Sequence, residues 1–379
     1  MLVGIVPDMC LLNYYVNKSG DRSLPDHILI LILSLLTMKE AIRNLQVFVW
    51  VNQVLAMHQA PTLDYFAVCF HLESSHSADI DSWIQFAVEK GVKHLKLDCC
   101  HFYDNLKDCP NYSFQMLQPR FLSSVLLLKS LSQDYVDVTS EQLACFLSTC
   151  KLLETLRLSR SWTPTYIHVV GPDPLRLKFM DISVLWILTF HLNWAPQLVD
   201  LVMAGREYPM PFAFPTLSRY FAQLQSLQSS SPQGDHLLRR LPKMKHLKLL
   251  TLDIRDSITK YDLYELNFLV RKAPILQLLT LIGHDLKGSW PQRLITNHQH
   301  LRVVLYIGYQ GLKGEDRLTL HLLGTTVSLK KLIIDFRDML FLGRPWRFLN
   351  SEKRKIWKLR DCTEELRRII PAGVQLVIR

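Results

Sequence analysis

The chain has 379 residues, enough for two or three ordinary domains or for one long repeat body. Hydrophobic residues make up 49% and aromatic residues 10%, which excludes a disordered chain, and 14 glycines with 18 prolines are too few for a fibrous one. Leucine alone fills 69 positions, and the formal net charge of +10 permits an acidic partner without naming one.

In chain order, the segment from Met1 to Leu12 is mildly apolar but lacks a basic start and a small-residue cleavage site, so no secretory signal is expected. Ser23 suits a helix cap, Pro25 the first turn, and Asp26 places a carboxylate where the helix N-terminus attracts it. The apolar residues that follow, Ile28, Leu29, Ile32, Leu33 and Leu36, recur at three and four residues and predict a buried helix. A second helix is expected to open at Lys39. The run Ile28 to Leu36 is far shorter than the ~20 residues that span a bilayer, so no membrane partner is expected. The eight cysteines show no regular framework and read as reduced thiols, which fits the cytoplasm or nucleus.

From Val92 onward a Leu-x-x-Leu-x-Leu pattern repeats. It appears as Val92/Leu95/Leu97, Leu153/Leu156/Leu158, Leu198/Leu201/Met203, Leu247/Leu250/Leu252, Leu276/Leu279/Leu281, Leu301/Val304/Tyr306 and Leu329/Leu332/Ile334. The first anchors are 61, 45, 49, 29, 25 and 28 residues apart, and the last three gaps fall in the range of a leucine-rich repeat. Each larger gap has room for two units, with hidden strands expected at Ser124 to Leu131, Pro174 to Phe179 and Leu217 to Leu227.

The last two anchors of each triplet lie two residues apart and so point to one face of a short strand. Helical segments are expected between strands at Ser140 to Cys150 and Tyr261 to Lys272. Neither element buries its apolar face alone, and stacking them makes a continuous core with a parallel sheet on one side. The competing reading is an ordinary leucine-rich α/β domain. The positions between anchors are a mixed and mainly basic set: Lys93, His94, Lys96, Glu154, Arg157, Lys248, Thr251, Gln277, Thr280, Lys330 and Lys331. Such a surface binds; no catalytic constellation sits in it, and no cofactor is expected.

Other clusters carry little. Cys99 and Cys100 lack partners at ligand spacing and read as small apolar fillers, and His298 and His300 have no Cys or carboxylate placed to complete a zinc site. Gly308, Gly311 and Gly314 do not form a strand-to-helix phosphate loop. Residues 340 to 379 hold ten Lys or Arg against four acids, a net of +6, centred on Lys353 to Arg360. Nucleic-acid binding there is the lesser reading; a solvated helix face with Ile356, Leu359 and Ile369 buried is the plainer one.

The stretch Asp21-Arg22-Ser23-Leu24-Pro25-Asp26-His27-Ile28-Leu29, with Ile32 to Leu36 and Lys39-Glu40-Ala41, resembles the opening of an F-box. Val51 to Leu55, Ser74 to Ala87 and Val92 to Leu95 resemble segments of plant F-box proteins with leucine-rich repeats and an FBD-type C-terminal region. Asn297 to Val304, Ile307 to Gly311, Val327 to Leu332, Leu342 to Trp346 and Ile370 to Val374 resemble that family's closing segment in order and spacing. The resemblance departs after Ile42, where the chain passes to Asn44 to Trp50 without the basic pair and third helix of a full F-box.

The resemblance implies an α/β leucine-rich-repeat solenoid with a short N-terminal helical F-box remnant and a C-terminal cap. The expected division is an unassigned segment 1–20, a partial F-box 21–43, repeats 44–296 and an FBD-type region 297–379. It also implies a substrate-receptor subunit of an SCF-type ubiquitin ligase: a Skp-type adaptor, joined to a cullin complex, would dock on Leu24, Pro25, Ile28, Leu29, Ile32 and Leu33, and the repeats would hold a protein substrate. The alternative is a binding-only scaffold that has lost adaptor docking.

Overall fold

A computed structural model describes residues 2–5, 28–31, 46–69, 77–99, 112–113, 125–161, 166–169, 175–183, 189–192, 195–203, 220–230, 242–253, 270–283, 298–311, 313–336, 367–368 and 370–379. The chain forms two compact units, Met1–Gln197 and Leu198–Arg379.

The first unit is built on a parallel sheet. Its strands are β1 (Leu2–Ile5), β2 (Ile28–Leu31), β3 (Tyr65–Cys69), β4 (His94–Asp98), β6 (Ser130–Asp134), β8 (Thr155–Ser159) and β10 (Phe179–Ser183), in the spatial order β2-β1-β3-β4-β6-β8-β10. Short strands β5 (Tyr112–Ser113) and β7 (Val136–Asp137) pair with each other, as do β9 (Tyr166–Val169) and β11 (Thr189–Leu192). The second unit continues the same rule: β12 (Asp200–Met203), β13 (Ser226–Ser230), β14 (Leu249–Asp253), β15 (Leu278–Ile282), β16 (Val303–Ile307), β17 (Lys331–Asp335) and β18 (Gln375–Ile378) pair in sequence order, all parallel.

Registration places every anchor beside its counterpart. Leu131 pairs with Leu95 and Leu156, and Leu279 with Leu250 and Val304. Along β4 and β8 the second and fourth residues are buried while the residues between them are not. Leu201, Leu250, Leu276, Leu279 and Leu281 are all fully buried. Each contributes about 1.5–3 kcal/mol by leaving water, so the stack of anchors is the main source of cohesion. The architecture is therefore that of an α/β leucine-rich repeat.

The hidden strands exist but begin later than expected, at Ser130, Phe179 and Ser226. Their triplets are Leu128/Leu131/Gln133, Leu177/Met180/Ile182 and Leu224/Leu227/Ser229, and two of them end on a polar residue. Gln133 and Ser229 nevertheless occupy the buried side, at 1% and 3% exposure. A further repeat, Leu63/Phe66/Val68, lies before the first expected triplet and pairs in the same register through β3 and β4.

Among the described residues four α-helices run ten residues or more: α1 (Gln46–Met57), α2 (Ser77–Glu89), α3 (Ser140–Thr149) and α4 (Lys313–Thr325). In α2, Ile80, Trp83, Ile84, Ala87 and Val88 recur at three and four residues and are buried. The helix ends in a Schellman turn: Gly91, at φ 68°, donates to the Val88 carbonyl while Val92 donates to that of Ala87. The Trp83 indole donates to Asn52 Oδ1 at 2.6 Å and ties α2 to α1. Helix α3 falls where the sequence places it and opens on a capping box, with Gln142 N–H donating to Thr139 Oγ1 and Thr139 N–H donating to Gln142 Oε1. Residues 270–272 are helical, at the end of the helix expected over Tyr261 to Lys272; its earlier part lies outside the described residues.

The helix expected across Ile28 to Leu36 is corrected over its first four residues. Ile28–Leu31 is a strand, paired in parallel with Leu2–Ile5. A short run of Ile and Leu satisfies helical and extended periodicity equally, and pairing with an adjacent strand decides between them. The remainder of the expected F-box helices, and the basic cluster Lys353 to Arg360, lie outside the described residues. Among the described residues no helix is long and apolar enough to cross a membrane.

Candidate binding surface

Parallel sheets are ordinarily covered on both faces. Here the anchors cover one face, and the side chains between anchors form the other, which is the candidate binding surface. Each unit has its own.

In the first unit, register aligns three rows across β3, β4, β6, β8 and β10. The first row is Tyr65, His94, Ser130, Thr155 and Phe179; the second is Ala67, Lys96, Ser132, Arg157 and Asp181; the third is Cys69, Asp98, Asp134, Ser159 and Ser183. Two linked charge groups cross these rows. Arg157 Nε lies 3.1 Å from Asp181 Oδ2, its guanidinium rests 5.2 Å from the Phe179 ring centroid, and Ser183 Oγ donates to Asp181 Oδ1 at 2.6 Å. One strand earlier, Arg160 reaches Asp134 Oδ2 at 2.8 Å and lies 5.2 Å from the Tyr135 ring, while Ser159 Oγ donates to Asp134 Oδ1 at 2.9 Å.

Burial pushes the Asp134 carboxyl above the ordinary carboxylate range; Arg160 opposes that shift and the like charge of Asp98 adds to it. Burial also raises Asp181, against the Ser183 hydroxyl and Arg157. His94 is shifted down by burial and by Lys129.

Tyr135 and Arg160 follow their strands directly and have φ of 56° and 54°, a left-handed conformation uncommon outside glycine. Each continues the ladder into the next strand, Tyr135 N–H donating to Ser159 O and Arg160 N–H to Ser183 O. At the matching position after β16 stands Gly308, with φ 77° and the equivalent bond to Asp335 O. The first unit thus holds two long side chains in a backbone state that glycine adopts freely, and both turn toward the charge network.

In the second unit the corresponding face carries an aliphatic row at its centre, flanked by Asp200 and Ser226 on one side and by Lys331 and Gln375 on the other. Register aligns Leu249, Leu278 and Val303, followed by Lys331 and Gln375, and beside them Thr251, Thr280, Leu305, Ile333 and Val377. Leu249 is 43% exposed; Leu278, Val303, Leu305 and Val377 are half-buried.

Of the expected surface residues, His94, Lys96, Arg157, Thr251, Thr280 and Lys331 lie on these faces, with Thr280 buried. Lys93, Glu154, Lys248, Gln277 and Lys330 instead sit just before their strands, on the rim where each strand begins, and accept the next repeat's N–H groups at their carbonyls. In the first unit this rim is neutralised by ion pairs, Lys93 to Asp64 at 2.6 Å and Lys178 to Glu154 at 2.8 Å. The hydrogen bond from Lys93 holds the Asp64 carboxyl down to about 2.

Of the network residues outside the expected set, Asp134 and Tyr135 follow a repeat whose third anchor is the polar Gln133, Phe179, Asp181 and Ser183 lie in a strand that begins later than expected, and Arg160 stands just past the anchors Leu156 and Leu158. Among the described residues no three His, Cys, Asp or Glu side chains gather to hold a metal ion. His298 is buried, with Nε2 3.1 Å from the carbonyls of both Val270 and Ala273, while His300 is exposed. Cys99 is buried, and burial pushes the Cys150 thiol up to about 12, far from a reactive thiolate. Of the expected adaptor-docking residues, Ile28 and Leu29 lie in β2; Leu24, Pro25, Ile32 and Leu33 lie outside the described residues.

No family model matches the chain. It is 29% identical over 193 residues to an F-box/LRR-repeat protein of Arabidopsis thaliana, a match spanning 38% of this chain and 39% of that protein. A second protein of the same plant, with the same F-box/LRR-repeat designation, is 23% identical over 278 residues, or 61% of this chain and 60% of its own length. The chain therefore matches less than two thirds of the length of either relative. Parallel strands stacked on leucine anchors agree with the leucine-rich-repeat part of the designation that both of these relatives carry.

Proposed function

We propose that the chain is a non-enzymatic substrate-receptor subunit of an SCF-type ubiquitin ligase, acting in the cytoplasm or nucleus. It binds a protein substrate on the outer strand faces and a Skp-type adaptor of the cullin complex through residues 21–43, with Leu24, Pro25, Ile28, Leu29, Ile32 and Leu33 as the docking set and 297–379 as an FBD-type cap. The supporting observation is the repeat body itself, whose anchors fix the fold while the residues between them are free to match a partner. The names of the two relatives support the ligase half of the reading.

One observation favours a second reading, a scaffold without adaptor docking. Ile28–Leu31 pairs as a strand with Leu2–Ile5, and a helical docking hook requires that pairing to be given up. Adaptor binding therefore competes with β1 for the same residues. Co-precipitation with a Skp-type adaptor separates the two. Capture of the adaptor by this chain supports the receptor; no capture, with capture restored by grafting a complete F-box, establishes the scaffold.

A further inference from the structure

The second unit carries a feature that the receptor reading leaves unused. The rim where its strands begin is occupied, repeat by repeat, by Gln225, Lys248, Gln277, Arg302 and Lys330, each passing its carbonyl to the N–H groups of the next repeat. All five are exposed. Among the described residues no ion pair joins Lys248, Arg302 or Lys330 to an acid, and no Asp or Glu shares their row. Asp253 and Asp335 close β14 and β17 at the opposite end, Glu315 and Asp316 belong to α4, and Asp200 opens β12, two strands away from β14. The rim of the first unit shows the contrast: there Asp64 and Glu154 satisfy the lysines at 2.6 and 2.8 Å.

Immediately beside this cationic rim lies the apolar row Leu249, Leu278 and Val303. Adjacent strands are ~4.8 Å apart, which puts Lys248 and Arg302 about 10 Å apart and Lys330 one strand further along. An extended peptide crossing the strands repeats its same-side residues about every 7 Å, so successive acids can follow the rim while the alternate residues rest on the leucines. We infer that this strip of the second unit captures an acidic, apolar-studded extended segment of a protein substrate, with Lys248, Arg302 and Lys330 meeting the carboxylates and Leu249, Leu278 and Val303 the apolar side chains. The inference rests on the receptor reading and names its substrate class. A single-stranded nucleic acid would also meet the cations, but sequence-tolerant base binding uses aromatic platforms, and the floor of this strip is aliphatic.

The test uses the full chain and three labelled probes in fluorescence anisotropy: a twelve-residue peptide alternating Glu and Leu, the same peptide with Lys for Glu, and a single-stranded DNA of twenty nucleotides. The expected result is saturable binding of the Glu peptide that weakens with salt, a tenfold or larger loss in the K248E/R302E/K330E variant, and a smaller loss in Leu249→Asn. Leu249 is already exposed, so that variant keeps the fold even if the triple charge reversal does not. Failure to bind the Glu peptide, equal binding of the Lys peptide, tighter binding of the DNA, or unchanged affinity in both variants would overturn it. Adaptor capture uses a different part of the chain, so loss of peptide binding with adaptor binding intact refutes this inference alone.

Discussion

The two units share one backbone rule, and their outer faces differ in composition. In the first, every long charged side chain of the central rows is answered: Arg157 by Asp181 and Phe179, Arg160 by Asp134 and Tyr135. In the second, the equivalent rows hold Leu249, Leu278, Val303 and Leu305 with Thr251, Thr280 and Lys331, beside cations that no acid neutralises among the described residues. A repeat fold separates the two requirements, since anchors buried on one side leave the composition of the other side free. The first surface is already satisfied within the chain, and a partner there must displace existing ion pairs. The second offers apolar area beside cations that are not ion-paired among the described residues.

The largest effect is expected where the units are alike. Leu279→Ala removes a fully buried anchor of β15 and is expected to cost about 2–5 kcal/mol in urea denaturation; a cost well below that would mean the anchors are not the main source of cohesion. Gln133→Leu should act in the opposite direction. Both polar atoms of the Gln133 side chain are buried without a hydrogen-bond partner, so restoring the repeat's apolar anchor is expected to stabilise the first unit by about 1–3 kcal/mol, read as a shift of the same midpoint.

Arg160→Ala tests the compensated face. It leaves the Asp134 carboxylate buried without its guanidinium and is expected to cost about 1–3 kcal/mol at neutral pH. Because the folded-state pKa of Asp134 is raised, its ionisation disfavours the folded state as pH rises through that value, and Arg160 offsets the penalty. Below that pKa the carboxyl is neutral with or without Arg160, so the difference between variant and parent should shrink as pH falls through the raised value; a difference independent of pH would contradict the pairing. The smallest effect belongs to the rims. Lys93→Ala and Lys248→Ala are each expected to change stability by less than about 1 kcal/mol, since one removes an exposed ion pair and the other an exposed cation with no acid in its row.

Much of the repeat was legible in the sequence, for a reason visible in its anchors. Where both late anchors are aliphatic, as in Leu156/Leu158 or Leu279/Leu281, burial dictates the residue type and the spacing reports the strand. Where the fold places Gln133 or Ser229 at that position the signal weakens, and the strands begin at Ser130 and Ser226, near the ends of the expected stretches. The Ile28–Leu31 strand shows a different failure, because the residue types fit either state and only the partner strand decides. The surface was legible as a list of polar positions. Its arrangement was not, since register between repeats brings Arg157 to Asp181 and Arg160 to Asp134 from 24 and 26 residues away in sequence.

The most direct measurement on the receptor assignment is a calorimetric titration of purified Skp-type adaptor into the full chain and into its Leu29→Asp variant. The receptor predicts saturable one-to-one binding that the substitution removes while the repeat body stays folded. Absence of binding by the parent chain, or binding that survives Leu29→Asp unchanged, would contradict it.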